Sequence, residues 1–304
     1  AAVASHESVA TPDGGEAIVR TALARFGRLD AVVSNAGIYN SIPFDELSVD
    51  DWRRMLSVHL DGGFYVSQPA FRVMKSQGYG RLVFMASSAG LFGELQEAHY
   101  AAAKTGLVGL TNVIALEGAP HGVLANSVLP FGYSRMVSET VAEHAKIHAE
   151  SPFLRLIEPE LVVPMVVFLA SRACTVTHHN YSAGAGRYAR AFIGLGEGWL
   201  ATPGSKPTAE DVQTQLARIS ATEPFTVPSS IVDEILEICT RVEDGLEQSP
   251  AAQAESPTAP ATPDNSAAQP AMSTAKTKIG KLLDNPASKA VLVKHLPEEV
   301  SNPR

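Results

Sequence analysis

The chain has 304 residues, 45% hydrophobic and 18% charged, which is ample for a core and ordinary for a globular protein. Acidic residues outnumber basic ones 32 to 24, and the net charge of −8 argues against nucleic acid or an anionic membrane as partner. The longest apolar run, Leu161 to Ala170, is about half a membrane span and contains Pro164, so no transmembrane helix is expected.

Along the first two-thirds, helical and β-rich stretches alternate. Helices are expected over Asp13–Phe26, Val49–Gln77 (with Pro69 kinking or breaking it), His99–Gly118 and Pro159–Ser171. Short apolar runs at Leu29–Ala36, Arg81–Ser87 and Val123–Pro130 read as strands. Ser48 ahead of Asp50 and Asp51 marks a helix start, with a cap and negative charge at the positive end of the dipole. Strands alternating with helices imply βαβ units. The expected fold class is therefore α/β, a Rossmann-like doubly wound parallel sheet with helices on both faces and right-handed crossovers.

Beyond Leu200 the character changes. Thr208-Ala-Glu-Asp211 starts a capped helix, and Ile231, Ile235, Ile238 and Val242 form a stripe at helical spacing, so two short helices are expected. From about Glu247 to Thr274 the chain is rich in Pro, Ala, Ser, Thr and Gln without periodicity and reads as a disordered linker. A pattern returns at Ile279–Leu296, read as a docking helix, the beginning of a further module, or a frayed tail. The division is thus a catalytic domain over 1–200, a helical extension over 201–246, a linker over 247–274 and a short helical tail over 275–304. Cys174 and Cys239 form no CxxC pair, which implies a reducing compartment such as the cytoplasm and excludes a disulfide scaffold.

The chemistry concentrates in Tyr100-Ala-Ala-Ala-Lys104, with Ser87 thirteen residues upstream. The i,i+4 spacing places Tyr100 and Lys104 on one helical face, and Ser87 ends the preceding strand, at the sheet edge where ligand crevices lie. A phenol is a poor acid or base at neutral pH, and a neighbouring ammonium favours its ionised form. Taken alone, this tyrosine–lysine spacing also describes an ordinary surface; with Ser87 and its strand-to-helix context it becomes specific. Thr177-His178-His179-Asn180 reads as a polar loop rather than a metal site, since adjacent histidines point apart on a strand. No metal is implied.

Ser87, Tyr100 and Lys104, with Asn35-Ala36-Gly37 after the first strong strand, resemble the short-chain dehydrogenase/reductase family over residues 1 to about 200. The stretches His59-Leu-Asp-Gly-Gly-Phe, Tyr79-Gly-Arg-Leu-Val, Ala115-Leu-Glu-Gly, Ser134-Arg-Met and Gly184-Ala-Gly resemble one branch. That branch comprises the (3R)-hydroxyacyl-CoA dehydrogenase units of peroxisomal multifunctional enzymes of type 2 (17β-hydroxysteroid dehydrogenase type 4) and bacterial relatives. The resemblance implies hydride transfer between NAD or NADP, with NAD favoured, and a secondary alcohol or ketone on an acyl-CoA or steroid-like substrate. It implies Tyr100 as general acid/base, Lys104 as its modulator and ribose ligand, and Ser87 as the group orienting the substrate oxygen. Asn35, Ala36 and Gly37, with Ser5, Pro130, Gly132 and Ser134, would line the cofactor together with Tyr100 and Lys104. A homodimer or homotetramer is also implied; Leu107, Leu110 and Ile114 could be its face or core.

Three departures stand against the family pattern. His59 replaces the usual asparagine, and is either a structural histidine or a further catalytic group. Phe131 follows Pro130 where glycine is usual. The glycine-rich TGxxxGxG turn is missing: Gly14-Gly15 fails its spacing, Gly194-Leu-Gly-Glu-Gly198 opens no helix, and Ala1–Ser5 resembles the family's third strand. The chain begins on alanine, and roughly 60 residues, at about 30 per βαβ unit, are expected to be lacking ahead of it. Two alternatives stay open: a partner-binding homologue without turnover, and a dehydrogenase of another alcohol or sugar.

Overall fold

The computed structural model describes residues 2–132 and 157–247. Its central sheet runs in the order β1 (Ala31–Ser34), β2 (Gly80–Met85), β3 (Val123–Phe131), β4 (His179–Gly184) and β5 (Arg187–Ala191). The first four strands are parallel; β5 turns back beside β4. The β4–β5 turn is Ala185-Gly186, with φ of 52° and 75°, the two positive values that a tight type I′ hairpin needs. Sequence reading did not anticipate β5. Residues 2–8 carry no regular structure, so the strand expected near Ala1–Ser5 does not form. Among the described residues no strand pairs with the outer edge of β1.

Helix boundaries follow local chemistry. In α1 (Pro12–Phe26), Thr11 Oγ1 accepts the Gly14 amide at 3.2 Å, proline sits in the first turn and Gly27 closes the end at φ 75°. Ser48 caps α2 (Val49–Leu56) by accepting the Asp51 amide at 3.0 Å. The long helix expected to 77 is interrupted at Ser57–Asp61 by a π turn, while α3 (Gly62–Gln77) runs through Pro69. Pro69 cannot donate to the carbonyl of Tyr65, and against that carbonyl lies Gly15 of α1, where a Cβ would fall 2.3 Å from the oxygen. The next helices are α4 (Ser88–Phe92), α5 (Ala98–Gly118) and α6 (Val163–Ala170).

Every residue of β2 is buried, because helices cover both of its faces. Leu82 and Phe84 pack with Met74 of α3 and Leu107 of α5. The alternate residues Val83 and Met85 face Leu169 of α6. Since α6 crosses on the opposite face while the strand order keeps its direction, the β3–β4 connection has the opposite hand to the two before it. This corrects the expectation of uniform right-handed crossovers; the connection covers a face of β2 that would otherwise be bare. Leu107 belongs to the core, with Leu110 and Ile114 packed against it, whereas Val113 and Leu116 are exposed.

After β5, β6 (Leu195–Gly196) pairs antiparallel with β7 (Phe225–Thr226), placing part of the glycine cluster in a strand. Three helices follow or interleave: α7 (Ala209–Thr214), α8 (Leu216–Ile219) and α9 (Ile231–Glu247). Thr208 and Asp211 form a reciprocal capping box at the start of α7. Contacts divide the chain into two units, Ala1–Gly245 and Leu246–Arg304. The linker over 247–274 and the tail over 275–304 lie outside the described residues, apart from Glu247. No helix among the described residues is long and apolar enough to cross a membrane.

Candidate active site

Three elements bring the predicted residues together at the carboxyl end of β2. Ser87 leaves that strand in an extended conformation and caps α4, its Oγ accepting the Ala89 amide at 3.2 Å. Its hydroxyl lies near the phenol of Tyr100, whose ionisation it favours, and Tyr100 stands in the first turn of α5. One turn later Lys104 is buried, and its Nζ donates to the Met85 carbonyl at 2.6 Å. The same Nζ lies 5.4 Å from the centre of the Tyr100 ring. The strand end therefore anchors the ammonium, and the helix spacing sets the phenol beside it.

The π turn contributes His59, which is buried. Its ring meets that of Tyr100 edge to face, with centroids 5.3 Å apart. His59 Nε2 is 2.7 Å from the Ile38 carbonyl and 3.1 Å from the Ile38 amide. Donation to the carbonyl leaves Nδ1 as a buried acceptor with no partner among the described residues. Gly37 makes this approach feasible, because a Cβ there would lie 2.5 Å from His59 Cε1. Inserting an extra residue into a helix re-aims its side chains, and this places the histidine against the tyrosine.

Charge follows burial. Desolvation holds Lys104 down to about 8 from 10.5. His59 is held at about 4 from 6.5, by burial first and then by the Lys104 charge. Burial also raises the Tyr100 phenol, the Ser87 hydrogen bond draws it back, and the Glu97 carboxylate adds to the rise. The ammonium thus does not lower the phenol in this state, contrary to the simple pairing argument; burial is the largest influence on it.

Sequence reading missed a polar layer behind the tyrosine. Tyr39 packs edge to face on Tyr100 at 5.6 Å and donates its hydroxyl to the buried Glu97. Fully buried His99 holds Asn40 Oδ1 at 2.8 Å through Nε2. The signal was present in Glu97-Ala-His99-Tyr100, where two polar residues precede the phenol in the first turn of an otherwise apolar helix.

The remaining predicted residues are placed less uniformly. Asn35 and Ala36 follow β1 and line a cavity of about 260 Å³ walled by apolar residues of β1, α1 and α3. Pro130 pairs with Ala183 near the carboxyl end of β3, and Gly132 lies against Pro159. Ser5 is exposed in the irregular segment before α1 and joins none of the hydrogen bonds around Tyr100. Ser134 lies outside the described residues.

A nicotinamide dinucleotide fits this region in part. Lys104 Nζ has spent one donor on Met85 and keeps two for the hydroxyls of a ribose. The diphosphate end finds no comparable cradle among the described residues. Gly14 and Gly15 are closed by the Ser8 and Tyr65 carbonyls, with a Cβ falling 1.9 Å and 2.3 Å from those oxygens, so they serve helix packing.

Comparison with known proteins extends the geometry. The family model described as enoyl-(acyl carrier protein) reductase matches residues 2–186. The chain is 37% identical over 219 residues to Rv0148 of Mycobacterium tuberculosis, named as a short-chain type dehydrogenase/reductase, covering 72% of this chain and 73% of that protein. It is 33% identical over 180 residues to an acetoacetyl-CoA reductase of Acinetobacter, covering 58% and 72%. The structure of full-length peroxisomal multifunctional enzyme type 2 from Drosophila melanogaster superposes with a TM-score of 0.64 at 27% identity, covering 80% of this chain and 41% of that one.

Proposed function

Because the chain belongs to the short-chain dehydrogenase/reductase family, we propose that it interconverts a secondary alcohol and a ketone by hydride transfer with a nicotinamide dinucleotide. A 3-hydroxyacyl-CoA is the substrate of first choice and a hydroxysteroid the second. The observation that carries this reading is the meeting of Ser87, Tyr100 and Lys104 at the carboxyl end of β2. Likeness to an acetoacetyl-CoA reductase and to a type 2 multifunctional enzyme supports the CoA thioester.

In this reading Tyr100 Oη gives its proton to the carbonyl oxygen during reduction and takes it back during oxidation. The burial that raises the phenol keeps it protonated at neutral pH, as the reductive direction needs, and oxidation gains at alkaline pH. Ser87 Oγ turns from the phenol to the substrate oxygen and fixes it between the two hydroxyls. Lys104 holds the ribose hydroxyls with its two remaining donors, and its charge stabilises the phenolate as the proton leaves. When bound, the nicotinamide ring supplies or accepts the hydride. Asn35, Ala36 and Gly37 line the cofactor side of the crevice, Pro130 and Gly132 reach the nicotinamide end, Ser5 serves the adenine end, and NAD is favoured over NADP. His59 supports the Tyr100 ring.

The catalytic unit of this reading is residues 1–200, with 201–246 as an extension, and the working form is a homodimer or homotetramer. Both cysteines are free, in keeping with a reducing compartment such as the cytoplasm. The test is oxidation of a panel of (3R)-hydroxyacyl-CoAs, hydroxysteroids, simple alcohols and sugars by the full chain, followed by absorbance of the reduced nicotinamide. Tyr100→Phe should lower turnover by about 10²–10⁴-fold. Failure of every substrate to exceed that variant refutes the proposal. The alternative of a partner-binding homologue is favoured by the closed Gly14-Gly15 pair. NADH fluorescence that stays unchanged both for this chain and for one with residues restored ahead of Ala1 would select it.

A further inference from the structure

The start of α5, which carries Tyr100, is clasped to the loop that follows β1. Consecutive loop residues each reach it. The Tyr39 hydroxyl donates to Glu97 Oε1, and Asn40 Oδ1 lies 2.8 Å from His99 Nε2. Ser41 Oγ donates to Gln96 Oε1 at 3.0 Å, and the Ile42 amide donates to the Gln96 carbonyl at 2.8 Å. Gln96 is held there at φ 61°, a left-handed conformation that residues other than glycine rarely adopt. A strained backbone persists only where its surroundings fix it, and such positions gather at functional sites.

One link of this clasp bears on Tyr100 itself. Glu97, Tyr100 and Lys104 stand at i, i+3 and i+7, so carboxylate, phenol and ammonium follow one another along one side of the helix. Glu97 is buried, where an acid needs a hydrogen-bond partner, and the Tyr39 hydroxyl is one. The Tyr39 ring then meets Tyr100 edge to face, with centroids 5.6 Å apart and planes at 76°. His59 meets the same ring at 5.3 Å and 86°. Two edge-to-face contacts restrict the ring to one aim. The first wall is fastened to α5 through Glu97, the second to the Ile38 carbonyl at 2.7 Å.

Among the described residues, the polar and titratable groups around the phenol come from five places. They are Ser87 at the end of β2, His59 in the π turn, Tyr39 in the loop after β1, Glu97 at the start of α5 and Lys104 one turn beyond the phenol. Glu97 is the anion among them. Burial is the first cause of the raised phenol, Ser87 draws it back, and the Glu97 charge adds to the rise.

We propose that Glu97 is a positioning residue for Tyr100: by fixing the Tyr39 hydroxyl it holds the wall on which the phenol ring rests, and so aims the phenol at the substrate oxygen. The inference rests on the oxidoreductase reading. The carboxylate has a second effect. Its negative charge opposes the phenolate, which serves reduction and delays the alkaline gain in oxidation.

The test oxidises (3R)-hydroxybutyryl-CoA with NAD, using the full chain and three variants. Glu97→Gln keeps an oxygen acceptor for Tyr39 without the charge, Glu97→Ala removes both, and Tyr39→Phe keeps the ring but not the hydrogen bond. Glu97→Ala and Tyr39→Phe should lower kcat by about tenfold or more while KM stays within about twofold, because only the transition state needs the aimed hydroxyl. Glu97→Gln should restore kcat to within about threefold of the parent, with the alkaline rise moved to lower pH. Ultraviolet difference titration against the same chain carrying Tyr100→Phe reads the phenol without substrate, and should show the same move. Circular dichroism checks that each variant is folded. A parent that turns over, matched in kcat by Glu97→Ala and Tyr39→Phe, overturns the role of Glu97 and leaves the oxidoreductase reading standing. Glu97→Gln as slow as Glu97→Ala overturns the hydrogen-bonded wall, and an unmoved phenol midpoint in Glu97→Gln overturns the effect of its charge. A parent without turnover on this or any other substrate of the panel overturns the reading and this inference with it.

Discussion

Replacing Lys104 by methionine should abolish turnover and yet stabilise the fold at neutral pH, with an effect that reverses in alkali. The side chain is buried and its ammonium is held at about 8, whereas in the unfolded chain it stays near 10.5. The unfolded state therefore binds this proton more tightly, and the charge works against folding below pH 8. That handicap fades as pH rises from 8 towards 10.5. The gap between 10.5 and about 8, at about 1.36 kcal/mol per pH unit, amounts to roughly 3 kcal/mol at pH 7. By pH 9.5 about 1 kcal/mol of it remains. Methionine removes this handicap but also loses the ammonium hydrogen bond to the Met85 carbonyl, which costs about 2 kcal/mol. The net change is then a gain of about 1 kcal/mol at pH 7 and a loss of roughly 1 kcal/mol at pH 9.5. Urea denaturation of both proteins at the two pH values, read by circular dichroism, measures the difference. A stability difference that does not change with pH would show that Lys104 is not a desolvated ammonium, and the reasoning would fail.

Two further outcomes follow from burial and close approach. Gly15→Ala should cost about 3 kcal/mol and lower the melting temperature by roughly 6–12 °C, because its Cβ would fall 2.3 Å from the Tyr65 carbonyl oxygen of α3; a melting temperature within a degree of the parent would contradict this helix contact. His59 is depressed to about 4 from 6.5, so stability lost through it should appear as pH falls from 6.5 to 4, reaching roughly 3 kcal/mol. His59→Gln should remove that part of the acid sensitivity in denaturation curves, and an unchanged acid limb would show that His59 charges freely in the folded protein.

Much of the catalytic half could be read from the sequence because its signals are local. The i,i+4 spacing of Tyr100 and Lys104 and the strand-ending Ser87 needed only helix and strand periods to be placed on one edge. The helix starts at Ser48 and Thr208 were likewise matters of short-range hydrogen bonding. Less legible was anything depending on a distant partner. Pro69 looked like the break in a helix, but the break lies at the π turn, where His59 must reach Ile38 and Tyr100. Tyr39 and Glu97 meet across 58 residues, a pairing with no periodicity to betray it.

The amino-acid sequence by itself determined the α/β alternation, the family and the order in which serine, tyrosine and lysine enter the site. These rest on residue spacing and on buried strands reading as unbroken apolar runs. Only the tertiary structure decided the protonation energetics. Desolvation depends on what surrounds a group, and it holds Lys104 and His59 low and Tyr100 high. The tertiary structure also carried α6 to the second face of the sheet. Those outcomes are set by which surface remains to be covered, a property of the assembled sheet rather than of any stretch of chain.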